Sequence, residues 1–338
     1  MTEKRRIRTM TVLLVLMPIL AFIISIYVGR YQISLETGFN IFLSRFVPVH
    51  PTWTVIEKSV VLQIRLPRVL LAMLVGSGLA VAGTSFQGLF RNPLVSPDIL
   101  GVSAGAGFGA CLGILVSGDA ITIQLFAFGF GLLAVVAACM IARLKSGTSL
   151  LMLVLAGVIV GALFSALIGL VKYVADPEEQ LPAIVYWLMG SMAGSSYRDL
   201  LLGGPPILIG GATLLLLRWK VNILSLGEEE AQSLGINTRL LRWVIITAGT
   251  VITAAAVSLC GIVGWIGLVI PHIGRMLVGP NHKRLLPACV SLGAFSLLLV
   301  DDLARSATSA EIPLSILTAI IGAPFFAFLL KKTGGRWT

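Results

Sequence analysis

The sequence predicts an all-α polytopic membrane protein with about ten transmembrane helices, and three observations carry that prediction. Of the 338 residues, 57% are apolar and 12% charged, where a soluble domain carries about 25% charged residues. Mean hydropathy is +0.98. Apolar stretches of about 20 residues, enough to cross the hydrocarbon layer as helices, recur along the chain. They do not alternate apolar with polar residues, as the strands of a membrane β-barrel would.

The predicted spans lie near 10–29, 60–82, 95–116, 121–142, 149–171, 200–219, 241–260, 262–278, 284–300 and 312–330. Met1 to Arg8 carries four basic residues and precedes an apolar run, Met10 to Val28. That run is too long for the core of a signal peptide, and no Ala-x-Ala site follows, so a retained first helix with its leader inside is expected. In the second span Ala72, Gly76 and Ala80 share one face; in the third, Gly101, Gly105, Gly109 and Gly113 recur every four residues. Small residues at this spacing let helix backbones approach closely in lipid. The glycines have no Lys-Ser/Thr ending and no preceding strand, so they are helix packing and not a phosphate loop.

Residues 172–199 begin polar (Lys172, Asp176, Glu178, Glu179) and turn apolar from Ile184 to Met192, which predicts a short external helix that does not cross. Leu224 to Asn237 is a polar island flanked by Arg218, Lys220, Arg239 and Arg242, and suggests a helical docking loop at the cytoplasmic surface. Gly261, Gly264, Gly267 and Pro271 predict a kinked or partly unwound eighth span, tolerated where protein or a watery cavity surrounds it. On this alternation 17 of the 25 Lys+Arg fall inside and ten of the 15 Asp+Glu outside. That bias places both termini in the cytoplasm and explains the net charge of +10 without nucleic acid.

Cys111, Cys139, Cys260 and Cys289 lie in apolar runs, have no CxxC spacing or nearby His, and read as core residues. No metal site, cofactor or catalytic residue is expected. The chain has no G-x-x-x-x-G-K-S/T, H-E-x-x-H or G-x-S-x-G, and its spans are nearly free of the carboxylates that mark proton or ion coupling.

Four stretches, in unbroken order from about residue 55 to the C-terminus, resemble the permease subunits of the ABC importers for ferric siderophores, haem and cobalamin (the FecCD type). They are Arg65-Leu-Pro-Arg68; Gln87 to Asn92-Pro93-Leu94 and Pro97, with Gly101 to Gly105; Leu226 to Gly235, leading to Gly267 through Pro271 and His272; and Asp301-Asp302-Leu-Ala-Arg305 with Glu311, Pro313, Gly322 and Pro324. The resemblance implies one permease domain over 1–338, with a leader at 1–9 and a cytoplasmic coupling loop at 221–240. It also implies a second permease subunit, identical or paralogous, two ATPase subunits and an extracytoplasmic binding protein, in a bacterial cytoplasmic membrane.

Position by position, it implies that Arg65, Arg68 and Arg305 receive acidic residues of the binding protein at the external surface, since guanidinium pairs carboxylate bidentately. Snorkelling is the alternative for these arginines, and a local ion pair with Asp301 or Asp302 is a further one for Arg305. It implies that Leu226, Gly227, Glu228, Glu229, Glu230, Ala231, Leu234 and Gly235 couple to the ATPase. The glutamates suit the positive end of a helix. It implies a cytoplasmic gate at Asn92, Pro93, Leu94, Leu150 and Leu151, with Ser149 opening the fifth span. The leucine pair is more apolar than the small polar pair expected of a cobalamin permease, which weighs against cobalamin and toward a ferric siderophore. Hydrophobic constrictions can close by dewetting.

His272 reads as a structural hydrogen-bonding residue. Two rival functions are an ion-coupled secondary transporter and a membrane enzyme using His272 with Asp301 or Asp302; the predicted topology puts those residues on opposite faces, about 30 Å apart. The loop 30–59 lies outside the motifs.

Overall fold

The computed structural model describes residues 3–45, 47–48, 50–144, 147–148 and 150–333. Met1 and Thr2 of the leader, Ser149 at the opening of the fifth span, and Lys145 and Arg336, counted in the inside charge, lie outside them. The described chain is helical throughout, apart from one antiparallel pair of two-residue strands, β1 (Arg143–Leu144) and β2 (Gly147–Thr148).

Among the described residues seven helices are long and apolar enough to span a bilayer. They are α1 (Glu3–Tyr27), the run Val55–Phe90, α6 (Ala120–Ile141), α7 (Leu150–Val174), α9 (Tyr197–Leu216), α12 (Thr238–Cys260) and α14 (His282–Ser306). Val55–Phe90 joins α3 (Val55–Ser59), a π turn (Val60–Arg65) and α4 (Leu66–Phe90) into 36 residues, well past the expected limits of 60–82. The other three expected spans are shorter apolar helices: α5 (Val102–Val116), α13 (Ile266–Val278) and the stretch Leu314–Leu329 of α15 (Leu314–Thr333). At 1.5 Å per residue, α5 and α13 cover only about 20 Å each. Irregular backbone precedes both: the 3₁₀ turn Pro97–Leu100 lies before α5, and residues 261–265 lie before α13. The glycines and Pro271 foretold the second break.

Between the spans lie four short helices, α2 (Leu35–Leu43), α8 (Gln180–Met189), α10 (Arg218–Leu224) and α11 (Glu228–Ser233). The loop 30–59 is thereby explained in part. Ser34 caps α2, which buries Ile41 while Leu35 and Phe39 stay exposed, and Thr54 closes a capping box with Glu57. Such caps satisfy backbone donors that a helix end would leave bare.

α4 is the centre of the bundle. In its span 78% of the apolar window is buried, against 22% for α1 and 28% for α7. Lipid tails are as apolar as leucine, so close backbone approach and not water exclusion holds such helices together. α4 supplies two such crossings. A Cβ on Gly76 would strike the backbone of Gly293 in α14, and one on Gly83 would strike that of Gly267 in α13. The predicted glycine stripe divides. Gly105, Gly109 and Gly113 do face α6, at Ala134, Phe126 and Ile123. Gly101 does not: it ends the 3₁₀ turn in a left-handed conformation (φ +81°) and lies against Gly157 and Gly161 of α7. Only glycine adopts that conformation without strain.

Candidate functional site

The predicted site residues fall at two ends of the bundle. Arg68 and Gln87 stand 19 residues apart on α4, a rise of about 28 Å. Asp301 and His282 have the same separation on α14.

At the first end, the three arginines predicted as docking residues are not free. Arg65, Arg68 and Arg305 are 4%, 5% and 6% exposed, and each is bonded within the chain. Arg65 donates to the carbonyls of Ile26 (2.8 Å), Tyr27 (3.2 Å) and Tyr31 (2.5 Å). It thus binds the last turn of α1, where orphan carbonyls and the helix dipole favour a cation. Arg68 lies between two carboxylates. Its Nε and Nη2 reach Asp301 at 3.0 and 2.8 Å, and its Nη1 and Nη2 reach Glu311 at 2.7 and 2.9 Å. Arg305 pairs with Asp302, donates to the Ser25 carbonyl at 2.6 Å and approaches Asp301 at 3.7 Å. The local-pair alternative for Arg305 therefore holds, and the snorkelling alternative fails for all three.

Two guanidinium groups, Arg68 and Arg305, and three carboxylates form a network that joins α4, α14 and the loop before α15, with Arg65 bonded separately to backbone carbonyls. Ser25 hydroxyl completes it by donating to Asp302 at 2.5 Å. Glu311, in the loop before α15, is the carboxylate most open to solvent, at 25% side-chain exposure. Burial alone would raise its pKa, but the hydrogen bonds and charge of Arg68 outweigh that and hold it below the ordinary carboxylate value. The Arg68–Glu311 arm therefore contributes fully at neutral pH and is lost only as pH falls through that lowered value. The sequence supplied Asp301, Asp302 and Glu311 as motif residues and offered the local pair for Arg305, but gave no signal that Asp301 and Glu311 would satisfy Arg68.

At the second end, α4 stops at Arg91, which takes a left-handed conformation (φ +49°). Asn92 Oδ1 then accepts from the Leu94 amide at 2.9 Å, an Asx turn. The Pro93 carbonyl meets His272 Nε2 at 3.0 Å, so His272 has its expected structural role. Gln87 Nε2 donates to the Val95 carbonyl (3.2 Å), and Arg275 donates to Gln87 Oε1 (2.6 Å). These bonds tie the predicted gate turn to α13. α7 meets the 3₁₀ turn Pro97–Leu100 at Gly157, beside Ile99 and Leu100. Of its predicted gate pair, Leu150 packs on the core while Leu151 is exposed, as is Leu94. His272 and Asp301 belong to opposite ends, so the enzyme reading has no site.

The unwound segment before α13 links these features. Trp265 opens the helix with φ +68°, a strained conformation for a bulky residue. Its ring packs against Phe326, and a Cβ on Gly322 would sit 2.7–2.8 Å from its side chain. The chain behind it is held to the end of α8, where Ser191 donates to the Cys260 carbonyl at 2.9 Å.

The polar island contains the short helix α11, with α10 in the basic flank before it. Ala231 is buried, anchoring α11, and Gly235 closes the turn at φ +76°. Leu226 and Leu234 are 69% and 62% exposed, with Glu229 and Glu230 also open to solvent. Gly227 is buried. Glu228 departs from the expectation of a fully offered triple, because it forms an ion pair with Arg242 of α12.

A family model described as "FecCD transport family" matches residues 15–332. The molybdate import system permease protein MolB of Haemophilus influenzae is 44% identical over 323 residues, covering 94% of both chains. The Fe(3+)-citrate import system permease protein YfmE of Bacillus subtilis is 37% identical over 332 residues, covering 97% of this chain and 96% of its own. A solved structure of a metal-chelate type ABC transporter in an inward-facing conformation matches with a TM-score of 0.83 at 44% identity, covering 94% of this chain and 97% of that one. The chain belongs to the FecCD transport family, the membrane-embedded permeases of ABC transporters.

Proposed function

We propose that this chain is the permease subunit of an importer that moves a ferric siderophore or related iron chelate across the bacterial cytoplasmic membrane. The observation that carries the partner assignment is the α11 surface. Two exposed leucines beside two exposed glutamates, on a short loop anchored by buried Ala231, form a compact face for another protein. An exposed apolar pair rimmed by charge is what interfaces use. Two ATPase subunits dock there, at Leu226–Gly235, in the cytoplasm that also holds both termini. Two permeases, copies or paralogues, enclose the pathway, with Leu94 and Leu151 narrowing its inner mouth.

The binding protein docks at the Arg65, Arg68 and Arg305 end. Because those guanidinium groups are already engaged, an incoming carboxylate reaches Arg68 by replacing Glu311, the network's most exposed member. Ion-coupled secondary transport has no supporting observation. A second reading of the cargo, a molybdate-like oxyanion, rests on the 44% identity to the molybdate permease.

The test is co-purification from detergent-solubilised membranes of the host. Wild type is expected to retain an ATPase subunit. The variant Glu229→Lys/Glu230→Lys, with Glu228 left to pair Arg242, is expected to lose at least tenfold of it. Wild type without any ATPase would sink the importer reading; equal retention would sink only the α11 assignment. Uptake of radioactive iron chelate against radioactive molybdate in cells expressing the intact system separates the two cargoes.

A further inference from the structure

We propose that the groove between the start of α1, the end of α13 and the start of α14 is a binding site for an anionic phospholipid. The cavity has a volume of about 520 Å³ and is walled by Met10, Leu14 and Pro287 among its apolar residues, with Arg275, Lys283 and Arg284 supplying charge. No lining residue is acidic. None of the three cations has an ion pair among the described residues. Arg275 donates to the amide oxygen of Gln87, and Lys283 stands 5.9 Å over the Trp219 ring. Three positive charges thus converge with no carboxylate paired to them among the described residues.

The groove's depth argues for lipid. The apolar run of α1 begins at Met10 and that of α14 at Leu285, directly after Lys283 and Arg284, so the cavity lies where hydrocarbon gives way to headgroups. α14 begins there too, capped by Asn281, and adds the positive end of a 25-residue helix. Lipid has access because α1 is only lightly covered by protein, with 22% of its window buried. A phosphate can meet Lys283 and Arg284, which are exposed, while an acyl chain follows the apolar wall toward the membrane interior. Basic pockets between helices at this level hold acidic headgroups for these reasons. The shared chemistry is a phosphate group, and its sources are phospholipid or free phosphate.

Native mass spectrometry of the purified permease in neutral detergent tests this, with phosphatidylglycerol, phosphatidylcholine or inorganic phosphate added. Phosphatidylglycerol adducts are expected to persist, with phosphatidylcholine at least tenfold weaker and millimolar phosphate without effect. The double variant Lys283→Gln/Arg284→Gln is expected to lose about 30-fold in phosphatidylglycerol affinity. Both side chains are exposed, so an unchanged melting temperature should accompany that loss. Arg284→Gln alone serves if the double variant expresses poorly. Equal retention of phosphatidylcholine, an unaffected variant, or displacement by inorganic phosphate would each overturn the lipid site. So would adducts that vanish when the ATPase partner is bound, which would assign the groove to that subunit.

Discussion

Replacing Arg68 with alanine is expected to prevent accumulation of folded protein. Arg68 is 5% exposed and Asp301 fully buried. The substitution would strand Asp301 with only the distant Nε of Arg305 at 3.7 Å, and would release Glu311. Breaking a buried pair from one side costs about 3–5 kcal/mol, because the remaining charge loses its compensation. Whole domains are stable by only about 5–15 kcal/mol. Arg68→Lys keeps the charge but cannot fork two carboxylates at once, so an intermediate loss is expected. Fluorescence-detected size exclusion with thermal ramps in detergent reads both variants. A wild-type profile for Arg68→Ala would mean that the network is incidental to folding.

The second large effect is expected from one methyl group at Gly83. A Cβ there points into the carbonyl and Cα of Gly267, with backbone on both sides and no flexible side chain to give way. Gly267 has no room to retreat either, since its own Cβ position is 2.6 Å from Pro97. Gly83→Ala should therefore push α13 from α4 and cost about 1–3 kcal/mol, as overpacking does. It should also disturb the Asn92–Leu94 turn, which reaches α13 through the Pro93–His272 hydrogen bond. Gly129→Ala is the control, because nothing lies within 4 Å of its Cβ position. That variant should be neutral or slightly stabilising, as alanine favours helix over glycine by up to about 1 kcal/mol. Melting temperatures of the two variants decide the matter; equal values would remove the crossing as a structural constraint.

Much of this architecture was legible in the sequence because lipid leaves so few options. A backbone without water must pair its own donors and acceptors, so long apolar runs become helices. Glycines at intervals of four then say where backbones can touch, as Gly105, Gly109 and Gly113 do. Gly101 misled because spacing alone cannot separate the first residue of a helix face from the turn before it; Pro97, four residues earlier, was the available warning. The third expected span came out short for a related reason. The span was started at residue 95, but Ser96, Pro97 and Asp98 open a 3₁₀ turn and the helix begins only at Val102.

The arginines show the sharper limit. Arg65-Leu-Pro-Arg68 looks like a surface motif, since two charges at a span's edge are cheapest in water. Its partners are remote, with Asp301 lying 233 positions further on. Nothing local announces that a carboxylate will arrive. Glu228 repeats the lesson over 14 positions, being drawn to Arg242 and away from any outside partner.

That remoteness has a consequence for how the chain is made. Arg65 finds its three carbonyls, at Ile26, Tyr27 and Tyr31, on chain already synthesised, whereas Arg68 must wait for α14. At translation rates of about 5–20 residues per second, the 233-residue gap lasts on the order of 10–50 s. Throughout that interval a guanidinium group without its counter-ions sits at the edge of the bilayer, where it stays hydrated by reaching toward the headgroups. The helix destined for the middle of the bundle is therefore locked only after α14 has been made. A ribosome that stops before residue 301 leaves behind a nascent chain whose central helix still carries an uncompensated charge, a mark that distinguishes an unfinished permease from a finished one.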